Sequence, residues 1–144
     1  MERETARIVE EGSGLSDPIS LTLPSSPEYV LLARLVMGQA GRLAGLEPDE
    51  VYDLKLAVTE AVTNVIRHAS VESYDIEYRI LPSGVEVSVT DAGGGFSVAD
   101  LTGESDEHHG GFGLTVIRNL VDELVLDSTR GGGTRLKMIR RVRG

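Results

Sequence analysis

Residues 74–91 read YDIEYRILPSGVEVSVTD and contain two apolar alternations separated by a turn. The first alternation runs from Tyr74 to Ile80 and the second from Val85 to Val89, with charged or polar residues at the intervening positions. An alternation of period two is typical of strands that bury one face, and Pro-Ser-Gly between two such runs predicts a hairpin. A sheet with one apolar face needs a second layer to cover it.

The sequence before this hairpin supplies candidate covering helices. From about Pro48 to Ala69, apolar residues recur at helical spacing over about five turns. They are Val51, Leu54, Val58, Ala61, Val62, Val65 and Ala69. An earlier helical pattern begins at Pro27, a favoured first helical residue, and ends at Gly45. Alternation over residues 19–23 predicts one more strand before it.

The sequence after the hairpin adds one helix and two strands. Residues 97–110 are acidic and lack periodicity, so we expect a mobile loop there. Residues 112–121 predict a helix, and strands are predicted around 124–126 and 136–138, on either side of a glycine turn. The order β-α-α-β-β-α-β-β predicts an α+β fold, a two-layer sandwich with helices on one face of a mixed β-sheet.

Composition narrows the possible functions. The chain has 144 residues, no cysteine and a net charge of −9. Disulfides and thiolate zinc sites are therefore excluded, and direct binding to nucleic acid is not expected from so acidic a protein. The basic tail formed by Arg140, Arg141 and Arg143 lacks interleaved aromatic residues, so it does not alter this expectation.

The N-terminal residues 1–16 are polar and are expected to form a flexible leader, with a single folded domain over residues 17–144. Charged residues interrupt the leader, which therefore lacks the apolar region of a signal peptide. No apolar stretch is long enough for a membrane span. We expect a soluble, cytoplasmic protein.

Glu60 and Asn64 form the first candidate site pattern. They lie about 40° apart on the second helix, on a flank away from its apolar stripe. A carboxylate and a carboxamide one turn apart can place a small hard cation beside an activated oxygen. Asn64 would suit a direct Mg²⁺ ligand, and Glu60 a general base or a water-positioning group. The alternative is that both side chains lie on a solvated helix face.

The second pattern is the run from Asp91 to Phe96, DAGGGF, which follows the hairpin. A buried Asp at a strand end can accept a hydrogen bond from an exocyclic amino group such as that of adenine. The glycines permit close approach of the backbone to a flat ligand. The alternative is a glycine-rich turn braced by the Asp side chain.

The third pattern is the run from Gly110 to Leu114, GGFGL, which opens a helix. Free N–H groups and the helix dipole suit an anion there. The run is not a Walker loop, because it lacks the Gly-Lys-Ser/Thr ending, and it lacks the βαβ context of a Rossmann fingerprint. The alternative is a flexible hinge.

In this order the patterns resemble the GHKL (Bergerat-fold) ATPases, a histidine-kinase-like family. The resemblance covers roughly residues 20–142. The matching motifs are Glu60-x-x-x-Asn64, Asp91-x-Gly93-x-Gly95-Phe96, Gly111-x-Gly113-Leu114 and Gly133-Thr134.

The resemblance implies a role for each matching residue. Glu60 would be the general base for an incoming serine hydroxyl, and Asn64 would hold Mg²⁺ against the phosphates of ATP. Asp91 would bind the adenine amino group with help from Thr134. Other contacts with ATP are implied for Gly93 and Gly95, at the adenine and sugar, and for Gly111, Gly113 and Leu114, at the phosphates.

Within this family, residues 56–69 and 111–123 are most similar to the anti-sigma-factor serine kinases. This resemblance implies a protein that binds a sigma factor and phosphorylates a serine on an anti-sigma-factor antagonist. It also implies a homodimer with the first helix near the partner. The alternative is a nucleotide-gated protein-binding module without phosphotransfer. A histidine kinase is disfavoured because no histidine precedes His68, and a hydrolytic ATPase because it would normally need larger transducer domains.

Overall fold

The computed structural model describes residues 17–92, 113–129 and 132–143. This part of the chain contains five strands and three α-helices in the predicted order. They are β1 (Ile19–Pro24), α1 (Val30–Leu43), α2 (Pro48–His68), β2 (Ser73–Leu81), β3 (Gly84–Asp91), α3 (Gly113–Leu120), β4 (Glu123–Thr129) and β5 (Gly133–Arg141). A short 3₁₀ turn, Pro27–Tyr29, precedes α1. The predicted leader and the predicted loop at 97–110 lie outside the described residues.

The sheet has the strand order β1-β2-β3-β5-β4, and each of these neighbouring pairs is antiparallel. The expectation of mixed strand directions was therefore wrong, although the two-layer α+β class is confirmed. Strands β3 and β4 do run in the same direction, since both are antiparallel to β5. Because β5 lies between them, they are not neighbours.

Helix α2 is the centre of the helical layer. It packs against α1 and α3 and reaches β3 and β5 of the sheet. Its apolar stripe is buried, with Leu54, Val58 and Val62 fully inaccessible. None of the described helices, α2 included, is long and apolar enough to cross a membrane.

A buried tyrosine ties the two layers together. Tyr78 projects from β2, and its hydroxyl donates a hydrogen bond of 2.9 Å to the carbonyl oxygen of Ala33 in α1. Burial, with a smaller contribution from Tyr74, raises the pKa of the Tyr78 phenol above its ordinary value. The neutral phenol therefore persists as a donor over the whole physiological pH range.

The basic tail forms ion pairs within the domain. The guanidinium of Arg140 is buried and donates to the carbonyl oxygen of Leu120, at 2.6 Å, and to Oδ2 of Asp53, at 3.2 Å. It thereby joins β5 to the end of α3 and to α2. The other two arginines are exposed: Arg141 pairs with the exposed Glu123, and Arg143 pairs with the exposed Asp49 and with the buried Glu50.

We expect Arg140→Leu to lower the free energy of unfolding by about 2 kcal/mol, because it leaves a helix-end carbonyl and a partly buried carboxylate without their donor. The adjacent Arg141→Leu is the matched control. The salt bridge of Arg141 with Glu123 is about half exposed, with side-chain exposures of 48% and 47%. Its removal should therefore lower the free energy of unfolding by under about 1 kcal/mol. Urea denaturation of both variants measures the difference, and equal losses would contradict the structural role of Arg140.

Candidate functional site

Helix α2 carries Glu60 and Asn64 one turn apart, as predicted. Glu60 is half-buried, and within the described residues no salt bridge reaches its carboxylate. Asn64 is only 1% exposed. The interpretation of this flank as a solvated helix face is therefore wrong for Asn64, because α3 covers it.

The contact between Asn64 and Gly113 brings α2 and the start of α3 together. A Cβ atom at Gly113 would overlap the Asn64 amide nitrogen and would lie 3.1 Å from its Oδ1. The glycine hydrogen is what lets the first residue of α3 lie directly on the amide. Among the described residues, neither Nδ2 nor Oδ1 of Asn64 has a hydrogen-bond partner.

A buried amide without partners costs about 1–3 kcal/mol, and in a native protein it needs an explanation. A ligand that accepts from Nδ2 or binds to Oδ1 would remove this cost. The Asn64 amide is therefore the strongest structural indication of a binding site in the described part of the chain.

Asp91 and Thr134 form the second part of the site. They are register partners at the end of β3 and the start of β5, and each is 3% exposed. Gly133 sets this pairing: its φ is +92°, and a Cβ atom there would overlap the carbonyl oxygen of Asp91 and lie 3.0 Å from Cα of Ala92. Only glycine permits so close an approach with this backbone conformation.

Leu114, predicted to contact phosphates, has a buried side chain that belongs to the hydrophobic core. Only its backbone N–H could therefore donate to an anionic ligand at the helix N-terminus. Three of the predicted site residues, Gly93, Gly95 and Gly111, lie outside the described residues. The structural role of Gly133 was missed, although its place in a three-glycine turn was visible in the sequence.

Comparison with known proteins places this chain in a family. The model of the histidine kinase-like ATPase domain matches residues 23–140. The serine-protein kinase RsbW of Listeria innocua is 35% identical over 126 residues, which cover 78% of this chain and 80% of that protein. The RsbW kinase of Staphylococcus aureus strain Newman is 32% identical over 130 residues, covering 80% and 82%. The chain therefore belongs to the histidine kinase-like ATPase domain family and, within it, to the RsbW serine-protein kinases.

Solved structures agree with the fold. The RsbU and RsbW domains of a Mycobacterium tuberculosis protein superpose with a TM-score of 0.68 at 19% identity, over 90% of this chain and 34% of that one. A histidine kinase domain from Erythrobacter litoralis superposes with a TM-score of 0.52 at 20% identity, over 83% of this chain and 62% of that one. This chain thus spans about a third of the mycobacterial chain. Membership of an ATPase family implies that this chain binds ATP.

We expect Gly113→Ala to weaken ATP binding by about tenfold or more, because the new methyl group displaces the Asn64 amide, and 1.4 kcal/mol corresponds to a factor of ten. Alanine favours helix over glycine, so the variant should still fold. Isothermal titration calorimetry with ATP gives the dissociation constant. Asn119→Ala, on an exposed position of the same helix, is the control. Unchanged affinity in Gly113→Ala would show that Asn64 lies outside the site.

Proposed function

We propose that this protein is a cytoplasmic, Mg²⁺-dependent serine kinase that acts as an anti-sigma factor. It binds a sigma factor and uses ATP to phosphorylate a serine on an anti-sigma-factor antagonist. Its similarity to the RsbW kinases supports this function. The observation that carries it is a half-buried Glu60 carboxylate one helical turn before the unpartnered Asn64 amide.

The residues present fit Mg²⁺. Mg²⁺ prefers oxygen ligands and is commonly bound by one or two protein groups together with waters and substrate phosphates. The buried Oδ1 of Asn64 has no described hydrogen-bond partner and would be such a ligand. When bound, the ion would neutralise charge on the phosphates. Backbone N–H groups at the start of α3 would also stabilise the negative charge of the phosphates.

The remaining residues position the reactants. Asp91 accepts a hydrogen bond from the adenine amino group, with Thr134 beside it, which fixes the nucleotide at the end of β3. Glu60 holds the serine hydroxyl of the antagonist. As the serine oxygen bonds to the γ-phosphorus, its proton passes to the Glu60 carboxylate. The bond from phosphorus to the bridging oxygen breaks, and ADP leaves. Phosphoryl transfer depends mainly on positioning and charge neutralisation, so this small set of groups is sufficient.

We also propose that the protein is a homodimer that uses α1. The outer face of this helix and of the turn before it carries several large apolar side chains. They are Tyr29, Leu31, Leu32 and Leu35, with exposures of 39%, 62%, 45% and 56%. Clustered exposed apolar residues mark interaction surfaces. A second copy of the chain presents the same residues and can cover them through a two-fold contact.

Glu60→Gln tests the kinase. The amide keeps the shape of the side chain but cannot take the proton, so we expect transfer to fall by about 100-fold or more, while MgATP affinity stays within twofold of wild type. The assay follows radiolabelled phosphate from ATP to a candidate antagonist, with calorimetry for binding. Glu72→Gln, at an exposed position before β2, is the control.

Two outcomes of this experiment would contradict the proposal. If wild type binds ATP but transfers no phosphate to any antagonist, the protein is a nucleotide-gated binding module. If Glu60→Gln transfers phosphate at the wild-type rate, another group is the base.

The dimer has its own test. We expect Leu32→Glu combined with Leu35→Glu to give a monomer, because two carboxylates on each copy would be buried against each other. Val125→Glu introduces the same change at an exposed apolar residue of β4, 42% accessible, and should leave the dimer intact. Sedimentation equilibrium measures the mass. A monomeric wild type at micromolar concentration would contradict the dimer.

A further inference from the structure

A groove with a volume of about 260 Å³ lies between the C-terminal end of α1 and the N-terminal half of α2. Its lining combines apolar and cationic side chains: Arg42, Leu46, Pro48, Val51, Tyr52 and Lys55. Leu46 and Val51 are buried, whereas the ring of Tyr52 is 57% exposed beside them. The groove therefore has an apolar floor with an exposed aromatic wall.

The two cationic groups of the groove converge on one point. A Cβ atom built on Gly38 would lie 3.4 Å from Nζ of Lys55 and 3.6 Å from Nη2 of Arg42. The absence of a side chain at Gly38 thus leaves space for both groups above α1. Within the described residues, no carboxylate forms an ion pair with either of them.

Two converging cations need an explanation in a chain of this charge. The net charge is −9, so acidic groups outnumber basic ones. The three arginines near the C-terminus each have a carboxylate partner. Like charges placed together repel unless an anion lies between them. Arg42 and Lys55 therefore form a pair whose arrangement is best stabilised by an external anion.

The groove is separate from the nucleotide site. Lys55 precedes Asn64 by nine residues on α2, which corresponds to roughly 13 Å along the helix axis. The unpartnered amide of Asn64 and the contact with α3 lie at the other end. A ligand in the groove would leave the phosphates of ATP untouched.

We propose that this groove is a second docking site, which binds a segment of a partner protein in which an Asp or Glu stands next to a large apolar residue. The carboxylate bonds to Arg42 and Lys55, and the apolar side chain covers Leu46 and Val51 against the ring of Tyr52. Inorganic phosphate or a nucleotide would satisfy the cations but leave the apolar floor exposed. The volume suits one or two side chains of a peptide.

Charge complementarity favours an acidic segment in particular. The acidic surface of the chain repels acidic partners, so a local cationic pair determines where such a partner can bind. Charges of this kind contribute more to specificity and association rate than to total affinity. The apolar floor supplies affinity through burial. This inference does not rest on the kinase activity.

Selection from a random peptide library tests the proposal while the partner is still unidentified. Phage-displayed dodecamers are selected on the full-length protein with saturating ATP. Enriched peptides are then synthesised, and their affinities are measured by fluorescence anisotropy. The test variant is Arg42→Glu with Lys55→Glu. The matched control is Arg79→Glu with Lys137→Glu, the same charge change on strands β2 and β5 of the sheet.

The proposal expects enriched peptides with an acidic residue adjacent to Leu, Ile, Phe or Tyr, and affinity reduced by about tenfold or more in the test variant but not in the control. Both variants should keep the wild-type melting temperature within a few degrees and bind ATP normally. Enriched peptides without acidic residues, or bound equally by both variants, would overturn it. The absence of any enriched peptide would also overturn it. Full displacement of the peptide by millimolar phosphate would do so too, because it would show a simple anion site.

Discussion

The contact between Gly113 and Asn64 is the constraint on which the arrangement of this domain depends. It lets the first residue of α3 lie on a buried amide of α2, without an intervening side chain. Helix α2 in turn packs on α1 and on the central strands. One end of the helical layer is thereby closed over an amide that has no described partner. The packing that stabilises the fold also leaves a buried amide whose hydrogen bonds a ligand could supply.

The spacing of apolar residues was sufficient to predict the strands and helices. Each of them buries one face, and burial of one face places apolar residues at regular intervals in the sequence. Strand direction needed more information. Strand β5 lies between β3 and β4. The spacing of apolar residues within a strand does not indicate which strands become neighbours in the sheet. The burial of Asn64 could not be predicted from α2 alone, since the helix that covers it comes much later in the chain. The positive φ of Gly133 depends likewise on the end of β3, which is remote in sequence.

Charge is distributed so that each arginine near the C-terminus has a distinct environment. Arg140 is buried and bonds to both a carboxylate and a helix end. Arg141 pairs at the surface, where solvent screens the interaction and little stability results. Arg42 and Lys55, on the helical layer, have no described carboxylate partner. Arg140 thus shows where a cation fixes the fold, whereas the converging Arg42 and Lys55 mark the surface where we propose that another molecule binds.

The bond from Arg140 to Leu120 fixes the end of α3 that is remote from Asn64. At the other end, Gly113 rests against the Asn64 amide, which has no hydrogen-bond partner among the described residues. If a ligand bonds to the Asn64 amide, this eight-residue helix would pivot about Leu120. Exchange of one nucleotide for another would then rotate the helix about Leu120 and would not shift it along its axis. Displacements of the helix would be largest at Gly113.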